Sequence, residues 1–188
     1  MARPKSDDKR SAILAAAARV VAAEGLGAST AAIAQAAGVS NGALFTYFET
    51  KSDLFNQLYL VLKADRAATS MDGVAEERDI RAQLFRMWAN TLAWATAFPE
   101  KRKALAQLDV SEDLTAESRE SGHVVMADVA ALLERSRANG PMKDVPLAFI
   151  AAMVRAMTDA TIEFIARDPK NAGAHSKAAF EALWRMTA

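Results

Sequence analysis

The sequence has no cysteine, which excludes a disulfide framework, a thiolate nucleophile and any sulfur-based metal site. Histidine is nearly as scarce. The two present, His123 and His175, supply no pair of Glu-x-x-His motifs, so neither a helical metal centre nor a Ser-His-Asp arrangement is suggested. The 8 glycines form no phosphate-cradling loop. No apolar run approaches the eighteen or so residues of a membrane span. Excess charge of one sign is also missing, with 23 basic and 23 acidic residues. Through Phe55 the six cations (Arg3, Lys5, Lys9, Arg10, Arg19, Lys51) face five carboxylates (Asp7, Asp8, Glu24, Glu49, Asp53). A general polyanion binder would carry a basic stripe instead.

What is there is apolar and helical. Of the 188 residues 52% are hydrophobic and 24% charged, enough for one or two globular domains. Arg3, Lys5, Lys9 and Arg10 ahead of the apolar run 12–18 imitate a signal peptide. Asp7, Asp8 and Arg19 interrupt that pattern, and Ile13, Ala17, Val20 and Val21 fall on one helical stripe. A soluble, cytoplasmic protein is expected.

Residues 1–5 read as a basic arm, Ser6 as a cap, and Gly25 as the stop of a first helix. Thr50 with Asp53 is a capping-box variant ahead of Leu54, Phe55, Leu58, Val61 and Leu62. The period lapses around 69–73. It resumes with Ile80, Leu84, Met87, Trp88, Thr91, Leu92 and Ala95, then breaks at Pro99, where a short helix to about 108 follows. Beyond an acidic turn holding Glu112, Asp113 and Glu117, one long helix is expected to run to 138, ended by Asn139-Gly140-Pro141. A helix from Pro146 carries Ile150, Met153, Val154, Met157, Thr161, Phe164 and Ile165, and a last one from about 174 carries Phe180, Leu183 and Trp184. With no strand-like alternation, the fold class is all-α: an N-terminal three-helix domain with a helix-turn-helix over 1–50, a bridging helix over about 50–69, and a C-terminal helical bundle over 70–188.

The chain is organised around residues 29–48, STAAIAQAAGVSNGALFTYF. Ser29 caps a helix of about two turns, Gly38 stops it, Val39 plugs the angle, and Ser40 caps a second helix from Asn41. On that helix Leu44 and Phe48 share one face, leaving Gly42, Ala43, Phe45 and Thr46 elsewhere. A helix-turn-helix presents such a helix to the DNA major groove, its first residues nearest the bases. An ordinary helical hairpin inside a bundle would use the same turn.

Gly25, Ser29, Ile33-Ala34, Ala37-Gly38-Val39-Ser40, Gly42, Leu44-Phe45, Tyr47-Phe48, Lys51 and Leu54 stand in an order and spacing that resembles the DNA-binding region of TetR-family transcriptional regulators. The resemblance implies Ser29, Thr30, Ser40, Tyr47 and Lys51 near phosphates, with Asn41, Ala43 and Phe45 at or near base edges and Gly42 permitting close approach. Asn reads adenine bidentately and Ala offers a thymine methyl contact. Phe45 stands where the family more often has Tyr, and Ala31 where some members carry a longer polar reader. It further implies a repressor acting as a homodimer on a near-palindromic double-stranded operator, answering to a small-molecule effector, without cofactor or enzymatic activity. The alternative is a helical small-molecule-binding protein that no longer binds DNA.

In the C-terminal half, Phe85, Trp88, Thr91, Trp94, Phe98, His123, Met126, Met153 and Met157 are the candidate lining of an apolar ligand site. Each would serve equally as a core side chain, and His123 reads as a satisfied buried histidine, whereas His175 reads as solvated. The apolar face of the helix from Pro146, with Phe180 and Trp184, fits either a four-helix dimer interface or intrachain core. Glu112, Asp113 and Glu117 cluster carboxylates, more economically a solvated turn and helix start than a catalytic group.

Overall fold

The computed structural model describes residues 5–188, with side chains from Asp7 onward. Residues 1–4 of the basic arm lie outside the described residues, and Ser6 falls inside the first helix rather than at its cap. Among the described residues ten α-helices follow one another: α1 (Lys5–Glu24), α2 (Thr30–Ala36), α3 (Asn41–Leu44), α4 (Lys51–Met71), α5 (Ile80–Ala97), α6 (Pro99–Asp109), α7 (Ala116–Val125), α8 (Ala127–Arg137), α9 (Leu147–Arg167) and α10 (Ala172–Thr187). Short 3-10 turns stand at Val74–Glu76 and Pro169–Asn171, and no strand occurs among the described residues. None of these helices is long and apolar enough to cross a membrane. The chain forms two compact units, one ending at Ala64 but including Phe98–Val125, the other Asp65–Ala97 with Met126–Ala188. The units thus alternate along the sequence, whereas periodicity suggests a single cut near residue 70.

In the first unit α1 buries Ile13, Ala16, Ala17 and Val21 completely. It packs on α2 and α6, whose Ala104, Leu105 and Leu108 are also buried. The alanine-rich stripe lets the helix axes come close. Gly25 ends α1 at φ +83°, a left-handed conformation that favours glycine. The acidic turn keeps Glu112, Asp113 and Glu117 exposed, as expected of a solvated turn, while its backbone is tied to α4. Asn56 on α4 donates to the Asp113 carbonyl at 2.8 Å and accepts the Thr115 N–H at 2.9 Å. Lys63, also on α4 and 9% exposed, pairs with Asp109 at 3.0 Å. A Cβ on Gly122 would lie 2.7 Å from the Tyr59 ring, so α7 approaches α4 as only glycine permits.

The long helix expected to run to 138 is two helices. Met126 has φ −92° and ψ 7°, and α8 starts after it. Gly122, Val124 and Val125 just before the break are weak helix formers, and both valines are exposed, so no packing overrides them.

In the second unit α5, α8, α9 and α10 share a core of Leu84, Trp88, Leu132, Ile150, Phe180 and Leu183. Arg137, 6% exposed, staples the 138–145 loop by donating to the carbonyls of Met142, Lys143 and Val145 at 2.7, 2.9 and 2.6 Å. Its charge is paired with Glu134. A satisfied buried guanidinium of this kind fixes a loop that has no regular structure of its own.

Between α9 and α10, Asn171 donates to Asp168 Oδ2 at 2.9 Å, and His175 Nε2 lies 3.0 Å from the same oxygen. His175 is therefore a partnered, half-buried residue rather than a solvated one. The Asn171 bond first, then the His175 bond, hold the Asp168 carboxyl below its usual range. A carboxyl with a depressed folded-state pKa stabilises above the unfolded value of about 4, and that contribution is lost as pH falls through the folded value. Denaturation curves of Asp168→Asn and the parent chain should therefore differ near neutral pH and converge in acid below about pH 4. A gap that widens on acidification would contradict the assignment.

Candidate nucleic-acid interface

Three caps fix the geometry of the helix-turn-helix. Ser29 Oγ accepts the Ala32 N–H at 3.0 Å, and Ser40 Oγ accepts the Ala43 N–H at 3.1 Å. Thr50 Oγ1 accepts the Asp53 N–H at 3.0 Å, while Asp53 Oδ2 accepts the Glu49 N–H at 3.0 Å. Each satisfies backbone donors that a helix start leaves unpaired. Between α2 and α3, Gly38 takes φ +69°. The Gly38 N–H bonds the Gln35 carbonyl and the Val39 N–H the Ala34 carbonyl, at 3.1 and 3.0 Å. This paired pattern is a Schellman turn, and it sets the angle at which α3 leaves α2.

Regular α-helix in the second element stops at Leu44, sooner than the spacing of Leu44 and Phe48 suggests. The N–H groups of Thr46 and Tyr47 bond the carbonyls three residues back, at 3.1 and 3.0 Å. The tightened turn carries Phe48 into the core, 1% exposed, beneath the Arg10 guanidinium at 5.7 Å. Leu44 is wholly buried. Ser40, Asn41, Gly42 and Phe45 are exposed, and Thr30, Ala43 and Tyr47 are half-buried. Nothing stands within 4 Å of a Cβ built on Gly42, so its outer side is open.

Lys51 has a structural commitment that the sequence does not reveal. Its ammonium donates to the Leu26 carbonyl at 2.8 Å and lies 5.1 Å from the centre of the Phe55 ring. It joins the start of α4 to the loop after α1. Thr46, exposed with its hydroxyl donating to the Ala43 carbonyl at 2.7 Å, is a further polar group beside Phe45. Helical spacing sets Thr46 apart from the buried face but does not reveal its bond to the Ala43 carbonyl.

The candidate ligand residues fall in both units, Phe98 and His123 in the first and the other seven in the second. Trp88 and Trp94 are buried, their indole N–H groups donating to the Ser176 carbonyl at 3.2 Å and to Asp65 Oδ2 at 2.8 Å. Thr91 shares a 3.0 Å hydroxyl bond with Ser70. Phe85 and Phe98 are exposed, the former packed edge to face on Phe180 and the latter under the Lys101 ammonium. Met126, Met153 and Met157 are half-buried. His123 is not buried: its side chain is 77% exposed, 3.8 Å from Glu120, because it stands on the outer side of α7 just before the helix breaks.

Comparison with known proteins agrees with this geometry. The model of the family of bacterial regulatory proteins, tetR family, matches residues 13–58, which span the helix-turn-helix and its supporting helices. A putative tetR family transcription regulator from Shewanella sp. PV-4 is 26% identical, with 94% of this chain and 96% of that one covered at a TM-score of 0.82. A TetR family transcription regulator from Marinobacter aquaeolei VT8 is 23% identical, with 97% of each chain covered at a TM-score of 0.87. The transcriptional regulator FadR from Bacillus subtilis, in complex with stearoyl-CoA, shares the fold at 17% identity and a TM-score of 0.69, with 92% of this chain and 96% of that one covered. Residues 13–58, with their capped helix-turn-helix, thus match the tetR family of bacterial regulatory proteins in sequence, and nearly the whole chain shares the fold of TetR family transcription regulators, which supports a DNA-binding regulator.

Proposed function

We propose that the protein is a ligand-responsive repressor that binds a near-palindromic operator as a homodimer. The observation that carries this reading is the N-terminus of α3, where Ser40 is fixed as a cap and Asn41 and Gly42 stand free at the solvent side. Asn41, Ala43 and Phe45 are the base-edge positions. Ser29, Thr30, Ser40, Tyr47 and Lys51 are the phosphate-side positions. Two such surfaces, about 34–36 Å apart, would enter successive major grooves.

Dimerisation is supported by α9. Only Ile150, Thr161 and Ile162 of this helix are buried, while Phe149 and Phe164 are each 57% exposed. Phe180 and Leu183 of α10 are intrachain core. Ligand response is supported by the aromatic-rich second unit and by the stearoyl-CoA complex of the Bacillus FadR. An effector shifts DNA affinity only by its differential affinity for the two conformations.

A gel shift with the DNA upstream of its own gene tests the reading. Salt-sensitive, sequence-selective binding is expected. Asn41→Ala should relax preference at one base pair, at a cost of about 1–3 kcal/mol. Lys51→Ala should weaken all sites alike and also lower stability, since it releases the Leu26 carbonyl. No binding even at low salt would favour a helical small-molecule-binding protein that has lost its DNA.

A further inference from the structure

In the second unit, α5 and α10 border a half-open groove of about 640 Å³, a volume suited to a small organic ligand. Its floor is aromatic. Phe85 and Phe180 meet edge to face with centroids 4.9 Å apart, and Trp184 stands one turn beyond Phe180 on α10. Arg78, Arg81 and Lys177 line the same groove.

Two carboxylates also border it, and both are already engaged. Asp79 accepts the Ala82 N–H at 2.8 Å as the cap of α5, and Glu181 pairs with Arg81. The Arg81 guanidinium lies over the Phe180 and Trp184 rings, 5.7 and 5.9 Å from their centres. Arg78 and Lys177 are exposed and make no ion pair among the described residues. The groove therefore joins an apolar floor to two cations that no described residue pairs.

We infer that this groove binds a small amphipathic carboxylate with an aromatic body. The rings of such a molecule cover Phe85, Phe180 and Trp184, and its carboxylate faces Arg78 and Lys177. A cation of the same shape meets the like charges of Arg78 and Lys177, and a neutral analogue keeps only the floor. The inference stands apart from the operator reading, because binding is read without DNA.

Calorimetric titration of the full chain with 2-naphthoate, 2-naphthylmethanol and 2-naphthylmethylamine, at low and high salt, tests it. Naphthoate should bind tightest and weaken with salt. The double variant Arg78→Gln/Lys177→Gln touches no internal partner, so the fold is expected to persist. It should weaken naphthoate about three- to tenfold and leave naphthylmethanol unchanged. Phe85→Ala should weaken all three probes. Equal binding of acid and amine, an unaltered naphthoate affinity in the double variant, or no naphthoate binding at about 1 mM would overturn the site. So would admission of the probe only when sedimentation shows a dissociated monomer, since a second copy would then be the occupant.

Discussion

Phe48→Ala is expected to destabilise the first unit by about 3–5 kcal/mol, the range for buried aromatic truncations. Its ring is 1% exposed, lies under Arg10, and closes the turn through which α3 leads into α4. No cavity-filling movement is cheap there, because the neighbouring Leu44, Leu54 and Phe55 are fully buried. The variant should lose operator affinity as well, though Phe48 reaches no base, since α3 then has no fixed platform. Phe45→Ala, three residues earlier but 42% exposed, should cost less than about 1 kcal/mol of stability. Denaturant unfolding of the two variants, followed by gel shift, separates the roles. Equal loss of stability from both would contradict this account of the turn.

The contrast between Phe48 and Phe45 also shows what local sequence carries. Ser29, Gly38, Ser40 and the Thr50–Asp53 pair act on backbone groups within a few residues of themselves, so their caps and turn are legible from spacing alone. The tightening after Leu44 is not, because it answers to burial of Phe48 against helices distant in sequence. Gly122 reads as an ordinary helix residue until Tyr59 is seen 2.7 Å from its absent Cβ. Asn56, Lys63 and Arg137 look like surface polar residues, yet each is buried by partners that sequence periodicity cannot supply. The histidines are reversed for the same reason: flanking valines suggest a core around His123, but the helix ends there and the valines are exposed. Lys51 matches a motif position and also holds Leu26, so a motif marks it without exposing its second task.

The apolar face of α9 is the second place where one residue should have a large effect. Phe149, Met153, Ala156, Ala160 and Phe164 recur at helical spacing along it. In the single chain Ala156 and Ala160 are exposed and Met153 is half-buried. Ala156→Glu therefore adds a carboxylate to water in the monomer, with only a few tenths of a kcal/mol expected in helix stability. Across a two-fold homodimer interface the same change places an unpaired charge from each subunit in an apolar seam, and like charges face one another. Sedimentation equilibrium should show the dimer weakened at least about a hundredfold, with the circular dichroism melt of the monomer unchanged. Operator affinity should fall by about 10²–10⁴, because each subunit then binds one half-site without the effective concentration its partner provides. A variant that remains dimeric, or a parent chain that is monomeric while binding operator at full affinity, would remove α9 from the interface and the dimer from the mechanism.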